Sequence, residues 1–255
     1  MDGQVRIERL NGVLSIMLAR PERRNAITVA MYAALADAIE AAASEPSVRL
    51  ITLQGEGEDF TAGNDLGDFL QEMPPPGSDL PVWRLLRALA KNQVPIIAAV
   101  HGNAVGIGTT MLFHCDFVLA EEGCRCVMPF VDLGLVPEAA SSLLLPRLGG
   151  RRRAARHLLL GEPFGANEAL DMGLASHVVP KGQLNAALGG LVEALLAKPP
   201  EAMRQTQALL RKEDTDEVLE RMELENGHFA ERLQSEEVKQ AISAFFASRA
   251  KTPAN

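Results

Sequence analysis

The stretch PIIAAVHGNAVGIGTTMLFHCDFVLAEE, Pro95 to Glu122, decides the fold of this protein. It begins with an apolar run, passes through a glycine-rich turn and a short apolar segment, and ends in a second apolar run. This order predicts a strand, a turn, a short helix and a strand. Histidine, asparagine, aspartate and glycine residues interrupt the apolar region, so it does not predict a continuous membrane helix.

The same alternation of strand and helix extends toward the N-terminus. Asn11 and Gly12 separate VRIERL from VLSIMLA, which is the sequence pattern of a β-hairpin. Thr28 is placed to cap an alanine-rich helix, and VRLITLQG predicts a further strand. A proline-rich turn at Pro74 to Pro76 precedes a helix expected from about Leu80 to Lys91. Strands that alternate with helices predict an α/β fold with largely parallel pairing.

The pattern changes after Arg151, where helical segments dominate and SHVV is the one short strand expected. Pro199 and Pro200 interrupt the helical pattern. We therefore predict a core region of residues 1–197 and a helical C-terminal region of residues 198–255. The second region is amphipathic and heavily charged, which suits oligomerisation and closure of a site.

Charge and composition limit the possible partners and the compartment. The 255 residues carry a formal charge of -8, which argues against nucleic acid as a partner because phosphate binding needs clustered cations. Three cysteines without a disulfide framework and an N-terminus without a signal-peptide pattern predict a reduced, cytoplasmic protein. The scattered histidines and the spacing of Cys124 and Cys126 do not match a metal site, so none is expected.

Two glycine-containing loops are candidates for binding an oxyanion. FTAGNDL, Phe60 to Leu66, and HGNAVGIGTTM, His101 to Met111, each lie between an expected strand and an expected helix. Backbone N–H groups are free at helix N-termini, and two that converge would bind an oxyanion. Each loop taken alone could equally be an ordinary tight turn. Neither a phosphate loop, a dinucleotide fingerprint nor a G-x-S-x-G nucleophile motif is present.

The motifs together resemble those of one family. RPERRNAIT, FTAGNDL, HGNAVGIG, CDFVLAEE and LGLVPEAASSLLLPRLGG stand here in the order and spacing of the crotonase superfamily, the enoyl-CoA hydratase/isomerase family. The resemblance covers about Arg6 to Ala197. It implies a spiral of repeated strand-strand-helix units, a homotrimer or dimer of trimers, and acyl-CoA substrates of fatty-acid metabolism such as β-oxidation. Coenzyme A is then part of the substrate, and no separate cofactor is expected.

The resemblance also assigns roles to residues in these motifs. It implies an oxyanion hole formed by the backbone N–H groups of Asn64 and Ile107. It further implies contacts with coenzyme A from four residues of the first loop and the arginine-rich motif, namely Arg24, Ala62, Asp65 and Leu66. Asp65 can also serve as a cap for the helix that follows its loop.

The reaction is inferred from carboxylates that are missing. Hydratases of the family use two glutamates, and the matching positions here are Thr110 and Phe130. One acid remains nearby, Glu138, at the position of the catalytic glutamate in the peroxisomal-type delta-3, delta-2-enoyl-CoA isomerases that this chain resembles. One carboxylate is enough to move a double bond if the oxyanion hole holds the dienolate oxygen. Burial beside an acyl chain would make that carboxylate more basic.

Other interpretations of these residues stay open. Glu138 could instead be an acid favoured at a helix N-terminus, and Asp132 could reach the site as a second acid. The predicted acyl pocket could equally be ordinary core; it comprises Trp83, Thr110, Phe130 and Leu133.

The leading hypothesis is therefore an enoyl-CoA isomerase that converts a 3-enoyl thioester into a trans-2-enoyl thioester with Glu138 as acid and base. The first alternative is an enoyl-CoA hydratase, a lyase, or another crotonase-type reaction. The second is a non-catalytic acyl-CoA-binding protein. No membrane association is expected.

Overall fold

The computed structural model of the protein describes residues 4–67, 80–211 and 215–250. The proline-rich turn predicted at 74–76 lies outside these residues. Within the described ranges, no helix combines the length and the apolar character needed to cross a bilayer.

Among the described residues, six strands form the central sheet: β1 (Val5–Leu10), β2 (Val13–Leu18), β3 (Leu50–Gly55), β4 (Ile96–Val100), β6 (Phe117–Glu121) and β9 (His177–Val179). Their order in the sheet is β1-β2-β3-β4-β6-β9. β1 and β2 pair antiparallel, and every other pair in this sheet is parallel. The expected α/β fold with largely parallel pairing is confirmed.

A second, three-stranded sheet in the order β5-β7-β8 was not expected from the sequence. It consists of β5 (Asn103–Val105), β7 (Arg125–Val127) and β8 (Phe164–Gly165). Strands of two or three residues are too short to display an alternating pattern, which explains why the sequence did not reveal them.

The helices connect and cover the two sheets. They are α1 (Val29–Ala43), α2 (Pro81–Lys91), α3 (Ile107–Thr110), α4 (Ser141–Gly149), α5 (Arg151–Leu159), α6 (Ala166–Met172), α7 (Leu184–Leu196), α8 (Pro200–Arg211), α9 (Thr215–Leu233) and α10 (Glu236–Ala250). Single 3-10 turns occur at Pro21–Arg23, Met111–His114 and Val131–Leu133.

Local signals in the sequence account for the first elements. Asn11 and Gly12 both have positive φ angles and join β1 to β2, as a two-residue hairpin turn requires. The Thr28 hydroxyl accepts a hydrogen bond from the Met31 N–H and caps α1. Both predictions are confirmed.

Repeated units give the molecule its spiral form. β4, β5 and α3 follow one another as strand, strand and helix, and β6 and β7 repeat the order before α4. An earlier turn begins with β3 and continues to Thr61, which forms a parallel bridge with Ala104 of β5. The last two units thus each add one strand to the main sheet and one strand to the second sheet. The predicted spiral of strand-strand-helix units is confirmed.

Candidate active site

A cleft of about 1140 Å³ lies where three parts of the chain meet. The loops around residues 20–28 and 62–67 form one wall, residues 105–107 and 129–135 form another, and the last two helices complete it. Eight residues selected from the sequence line this cleft: Arg24, Ala62, Asn64, Asp65, Leu66, Ile107, Phe130 and Leu133.

The two glycine loops pack closely against each other at the cleft. Thr61 exchanges two backbone hydrogen bonds with the second loop, to Asn103 at 3.0 Å and from Val105 at 3.0 Å. Gly63 has a φ angle of +84°, and a Cβ atom there would lie 2.6 Å from the Val105 carbonyl oxygen. A Cβ atom on Gly108 would lie 2.4 Å from Thr61 Cγ2. These two glycines therefore permit an approach that any side chain would prevent.

Both predicted oxyanion donors have N–H groups that the local backbone pattern leaves available. Asn64 forms a parallel bridge with Ile27, and the bridging bonds are made by its neighbours, Gly63 and Asp65. The N–H of Asn64 therefore points away from Ile27. Ile107 is the first residue of α3, so its N–H has no acceptor one turn earlier in the helix. Because both residues line the cleft, this arrangement can bind an oxyanion there.

Two ion pairs support the mouth of the cleft. The Arg20 guanidinium donates to Asp65 Oδ2 at 2.6 Å, and Asp65 Oδ1 accepts from the Gly67 N–H at 3.1 Å. The carboxylate of Asp65 thus caps the turn that follows its loop, as the sequence indicated. Arg24 Nε donates to Asp59 Oδ2 at 2.7 Å while most of the Arg24 side chain remains exposed.

Asp59 is the buried partner in the second of these pairs. Burial alone would raise the pKa of Asp59, but hydrogen bonds from Asn103 and from the Arg24 guanidinium outweigh it and hold that pKa below the usual value. Asp59 therefore remains a carboxylate and holds the Nε atom of the Arg24 guanidinium in place. The outer part of the guanidinium is left at the cleft mouth, where it can meet an anionic group.

Glu138 lies behind the wall of the cleft and is only 1% exposed. Its Oε1 accepts a hydrogen bond from the Thr110 hydroxyl at 3.3 Å. Desolvation raises the pKa of Glu138 to about 8; the Thr110 hydrogen bond opposes this shift, and the charge of Glu225 adds to it. Burial thus acts on this carboxylate in the direction expected from the sequence.

Tyr32 connects Glu138 with the first loop. Its hydroxyl donates to Asn64 Oδ1 and is buried. Desolvation raises the pKa of Tyr32, and the nearby Glu138 charge raises it further. Thr110 belongs to the helix that begins at Ile107, so the Glu138 carboxyl contacts the element that carries one of the predicted oxyanion donors.

Two residues predicted for the acyl pocket do not appear among the described residues that line the cleft. Trp83 is buried in α2, where its ring meets that of Phe229 edge to face with centroids 5.4 Å apart. Thr110 is fully buried and uses its hydroxyl for Glu138. Asp132, the alternative acid, lines the cleft but is exposed to solvent.

The sequence suggested that the C-terminal region closes a site, but it did not identify which residues of that region line the cleft. The cleft residues from α9 and α10 are Phe229, Leu233, Ala241, Ile242 and Ala244. Sequence reasoning also missed Glu225, a buried carboxylate on α9. A signal was available: Val218, Met222, Glu225 and Phe229 recur at the spacing of one helix face, and three of these four positions are apolar. A carboxylate in such a stripe indicates a buried partner.

Comparison with known proteins identifies the family. The family model described as enoyl-CoA hydratase/isomerase matches residues 8–252. The chain therefore belongs to the enoyl-CoA hydratase/isomerase family, within the crotonase superfamily, and is an acyl-CoA enzyme of that family.

Individual relatives agree with this assignment and differ in the reactions they are named for. The chain is 33% identical over 244 residues to 1,2-epoxyphenylacetyl-CoA isomerase of Escherichia coli, covering 93% of each chain. It is 32% identical to Enoyl-CoA delta isomerase 2 of Homo sapiens, with 82% of this chain and 54% of the human protein covered. A crystal structure of an enoyl-CoA hydratase/isomerase from Pseudoalteromonas atlantica is 39% identical, with a TM-score of 0.90 and coverage of 98% and 100%.

Proposed function

We propose that the protein is an enoyl-CoA isomerase that converts a 3-enoyl-CoA into a trans-2-enoyl-CoA. Glu138 takes the proton from C2, and the C–H electrons form a C1–C2 double bond while negative charge develops on the thioester oxygen. The resulting dienolate takes the same proton back at C4, which leaves the double bond between C2 and C3. Atoms and charges balance, because the reaction moves one proton and adds nothing.

The single observation that carries this proposal is the buried Glu138, which accepts a hydrogen bond from Thr110 in the helix that begins at the proposed donor Ile107. A carboxyl with a pKa of about 8 is matched to exchanging a proton with carbon near neutral pH. The Asn64 and Ile107 N–H groups would stabilise the dienolate oxygen, and such donors contribute roughly 3 kcal/mol each in comparable sites. The mechanism uses only these groups of the chain, with coenzyme A as part of the substrate.

The residues along the cleft favour one orientation of the bound substrate. Arg24, at the exposed mouth, and the loop residues Ala62, Asp65 and Leu66 would contact the coenzyme A portion. Phe130 and Leu133 would meet the acyl chain, together with Phe229 from the C-terminal region. The thioester would then lie between Asn64 and Ile107, with Glu138 on the buried side.

A hydratase is the second candidate, because Asp132 places another carboxylate on the cleft. Hydration needs a positioned water and a proton donor, and two acids can divide that work. The position of Asp132 weakens this alternative: it is exposed, whereas Glu138 is buried, so the two carboxyl groups do not share one enclosed environment.

The proposed function is tested by replacing Glu138 with glutamine, which removes the base and keeps the size and shape of the side chain. We expect Glu138→Gln to lower the turnover of a 3-enoyl-CoA by about 1000-fold or more, measured from absorbance of the conjugated product. Calorimetric affinity for a saturated acyl-CoA should change less than about threefold. Unchanged turnover in the variant would contradict the proposal, and binding without turnover in the wild type would indicate a non-catalytic acyl-CoA-binding protein.

We also propose that the chain works in the cytoplasm as a homotrimer or a dimer of trimers. The exposed leucines of the C-terminal helices, Leu209, Leu210 and Leu224, support self-association because large apolar side chains are usually covered. Light scattering would give the mass; a monomer at micromolar concentration would contradict this proposal.

A further inference from the structure

Glu225 is a carboxylate inside an apolar helix face. It lies on α9 between Met222 and Phe229, both buried, and is 5% exposed. A carboxylate buried in such a stripe costs stability unless its oxygens find donors. Here both oxygens find them, and the donors belong to the segment that carries Glu138.

The two carboxylate oxygens bind backbone N–H groups at the start of α4. Oε2 accepts from the Ala140 N–H at 2.7 Å, and Oε1 accepts from the Ser142 N–H at 3.0 Å. Ala140, the N-cap residue, has no side chain that could cap the helix and adopts a left-handed conformation. Glu225 thus supplies, from more than eighty residues away, the cap that the local sequence lacks.

The backbone between Glu138 and α4 is unusual. Ala139 and Ala140 have φ angles of 60° and 55°, which alanine adopts only when the surroundings compensate its cost of roughly 1 kcal/mol or more per residue. His114 Nε2 donates to the Ala139 carbonyl at 2.9 Å, and the Ser141 hydroxyl donates to the Glu138 carbonyl at 2.6 Å. Burial lowers the pKa of His114 to about 4, so its ring is neutral when it makes this bond.

We propose that Glu225 is a positioning residue for Glu138: it holds the two left-handed alanines and the first turn of α4, and so fixes where the Glu138 carboxyl points. This inference rests on the proposed function. Without the Glu225 carboxylate, the Ala140 and Ser142 N–H groups lose their acceptors, and the turn can relax toward ordinary φ angles. Glu138 would then leave the place where it can reach both C2 and C4 of a bound thioester.

The charge of Glu225 has a second, measurable effect on Glu138. Burial is the main cause that raises the pKa of Glu138, and the negative Glu225 adds to it. The other groups that face this segment are the hydroxyls of Thr110 and Tyr32, neutral His114, and Arg221. Burial raises the pKa of Glu225 itself, while its hydrogen bonds with Ser142 and Ala140 and the charge of Arg221 oppose that shift and favour the ionised form. Removing the charge of Glu225 therefore lowers the pKa of Glu138.

The test compares Glu225→Gln with Glu223→Gln, a change on the exposed face of the same helix. We expect Glu225→Gln to lower kcat for a 3-enoyl-CoA by about tenfold or more, with KM changed less than about twofold. The acid limb of its pH profile should move to lower pH, and infrared titration of Glu138 in the free protein should move the same way. Glu223→Gln should leave kcat, KM, the acid limb of the pH profile and the Glu138 titration as in the wild type.

A folded Glu225→Gln variant with wild-type kcat and an unshifted Glu138 titration would overturn the proposal. If that variant does not fold, Glu225→Asp takes its place: it keeps the charge but shortens the reach to the Ala140 and Ser142 N–H groups, so kcat should fall while the Glu138 titration stays near the wild-type value, and wild-type kcat would overturn the proposal. The infrared titration needs no turnover. A wild-type protein inactive on 3-enoyl-CoA would therefore refute the proposed function, while a shifted Glu138 titration would still support the coupling of the two carboxylates.

Discussion

At the scale of single residues, the proposed chemistry depends on the pair formed by Glu138 and Thr110. The sequence presents Thr110 as the place where a hydratase glutamate is missing, and the structure gives that threonine a contact of its own with the Glu138 carboxyl. A hydrogen bond to a carboxylate favours the ionised form. Thr110 therefore keeps Glu138 from becoming too weak an acid to lose its proton near neutral pH.

Replacing Thr110 with valine should raise the pKa of Glu138 above its present value of about 8. Because the proposed base must be ionised before it takes a proton, activity falls as pH drops below that pKa. The acid limb of kcat/KM should thus move upward by about 0.5 to 1 pH unit in Thr110→Val. Thr110→Ser keeps a hydroxyl and should leave the limb in place; equal profiles for both variants would contradict this role.

The resemblance of motifs proposed the oxyanion loops and Glu138 from local sequence, and the structure brings Asn64 and Ile107 to one cleft. The motifs could not show whether Trp83 faces the cleft or the core. An aromatic residue on an amphipathic helix can face either a cleft or the core, and only the position of Phe229, far along the chain, decides between them. The role of Glu225 could not be predicted for the same reason, because the N–H groups that it binds belong to another part of the sequence.

At the scale of secondary-structure elements, the contact between the two glycine loops sets the distance between the proposed oxyanion donors. The hairpin, the first helix and the longer parallel strands could be predicted, because each spans enough residues to show a period or has a cap. The short strands β5, β7 and β8 could not. They exist because neighbouring loops pair with each other, which is a property of the assembled spiral.

Gly63→Ala tests this packing. The added Cβ would meet the Val105 carbonyl oxygen, and the residue would keep a positive φ angle, so the first loop must move away from the second. We expect kcat/KM for a 3-enoyl-CoA to fall by about 100-fold. Gly189→Ala in α7 is the matched control, because its Cβ meets nothing within 4 Å; it should keep full activity and stabilise the fold by roughly 0.5 to 1 kcal/mol. Wild-type activity in Gly63→Ala would contradict the account.

At the scale of the whole molecule, the C-terminal helices share the core of the α/β region. Val218, Met222 and Phe229 belong to the same buried cluster as the strands of the main sheet. Phe229 packs on Trp83 and also lines the cleft. The boundary expected near residue 198 therefore marks a change of composition, while the buried side chains on either side of it pack together.

Phe229→Ala measures how strongly the C-terminal region is attached. Loss of a buried aromatic ring and its contact with Trp83 should lower the free energy of unfolding by about 3 kcal/mol or more. Glu220→Ala, on the exposed side of the same helix, should change it by less than about 0.5 kcal/mol. Denaturant unfolding followed by circular dichroism and by Trp83 fluorescence should give one shared transition. Two separate transitions would mean that the regions fold independently.

The most direct test of the central claim is a mass-spectrometric incubation in water enriched in heavy oxygen. The wild-type protein and Glu138→Gln would each receive a 3-enoyl-CoA and, separately, a trans-2-enoyl-CoA. We expect the wild type to convert the 3-enoyl thioester to its 2-enoyl isomer without oxygen uptake, and the variant not to do so. Heavy oxygen in the product from the 2-enoyl thioester, with no conversion of the 3-enoyl thioester, would contradict this expectation and indicate a hydratase that uses a second acid.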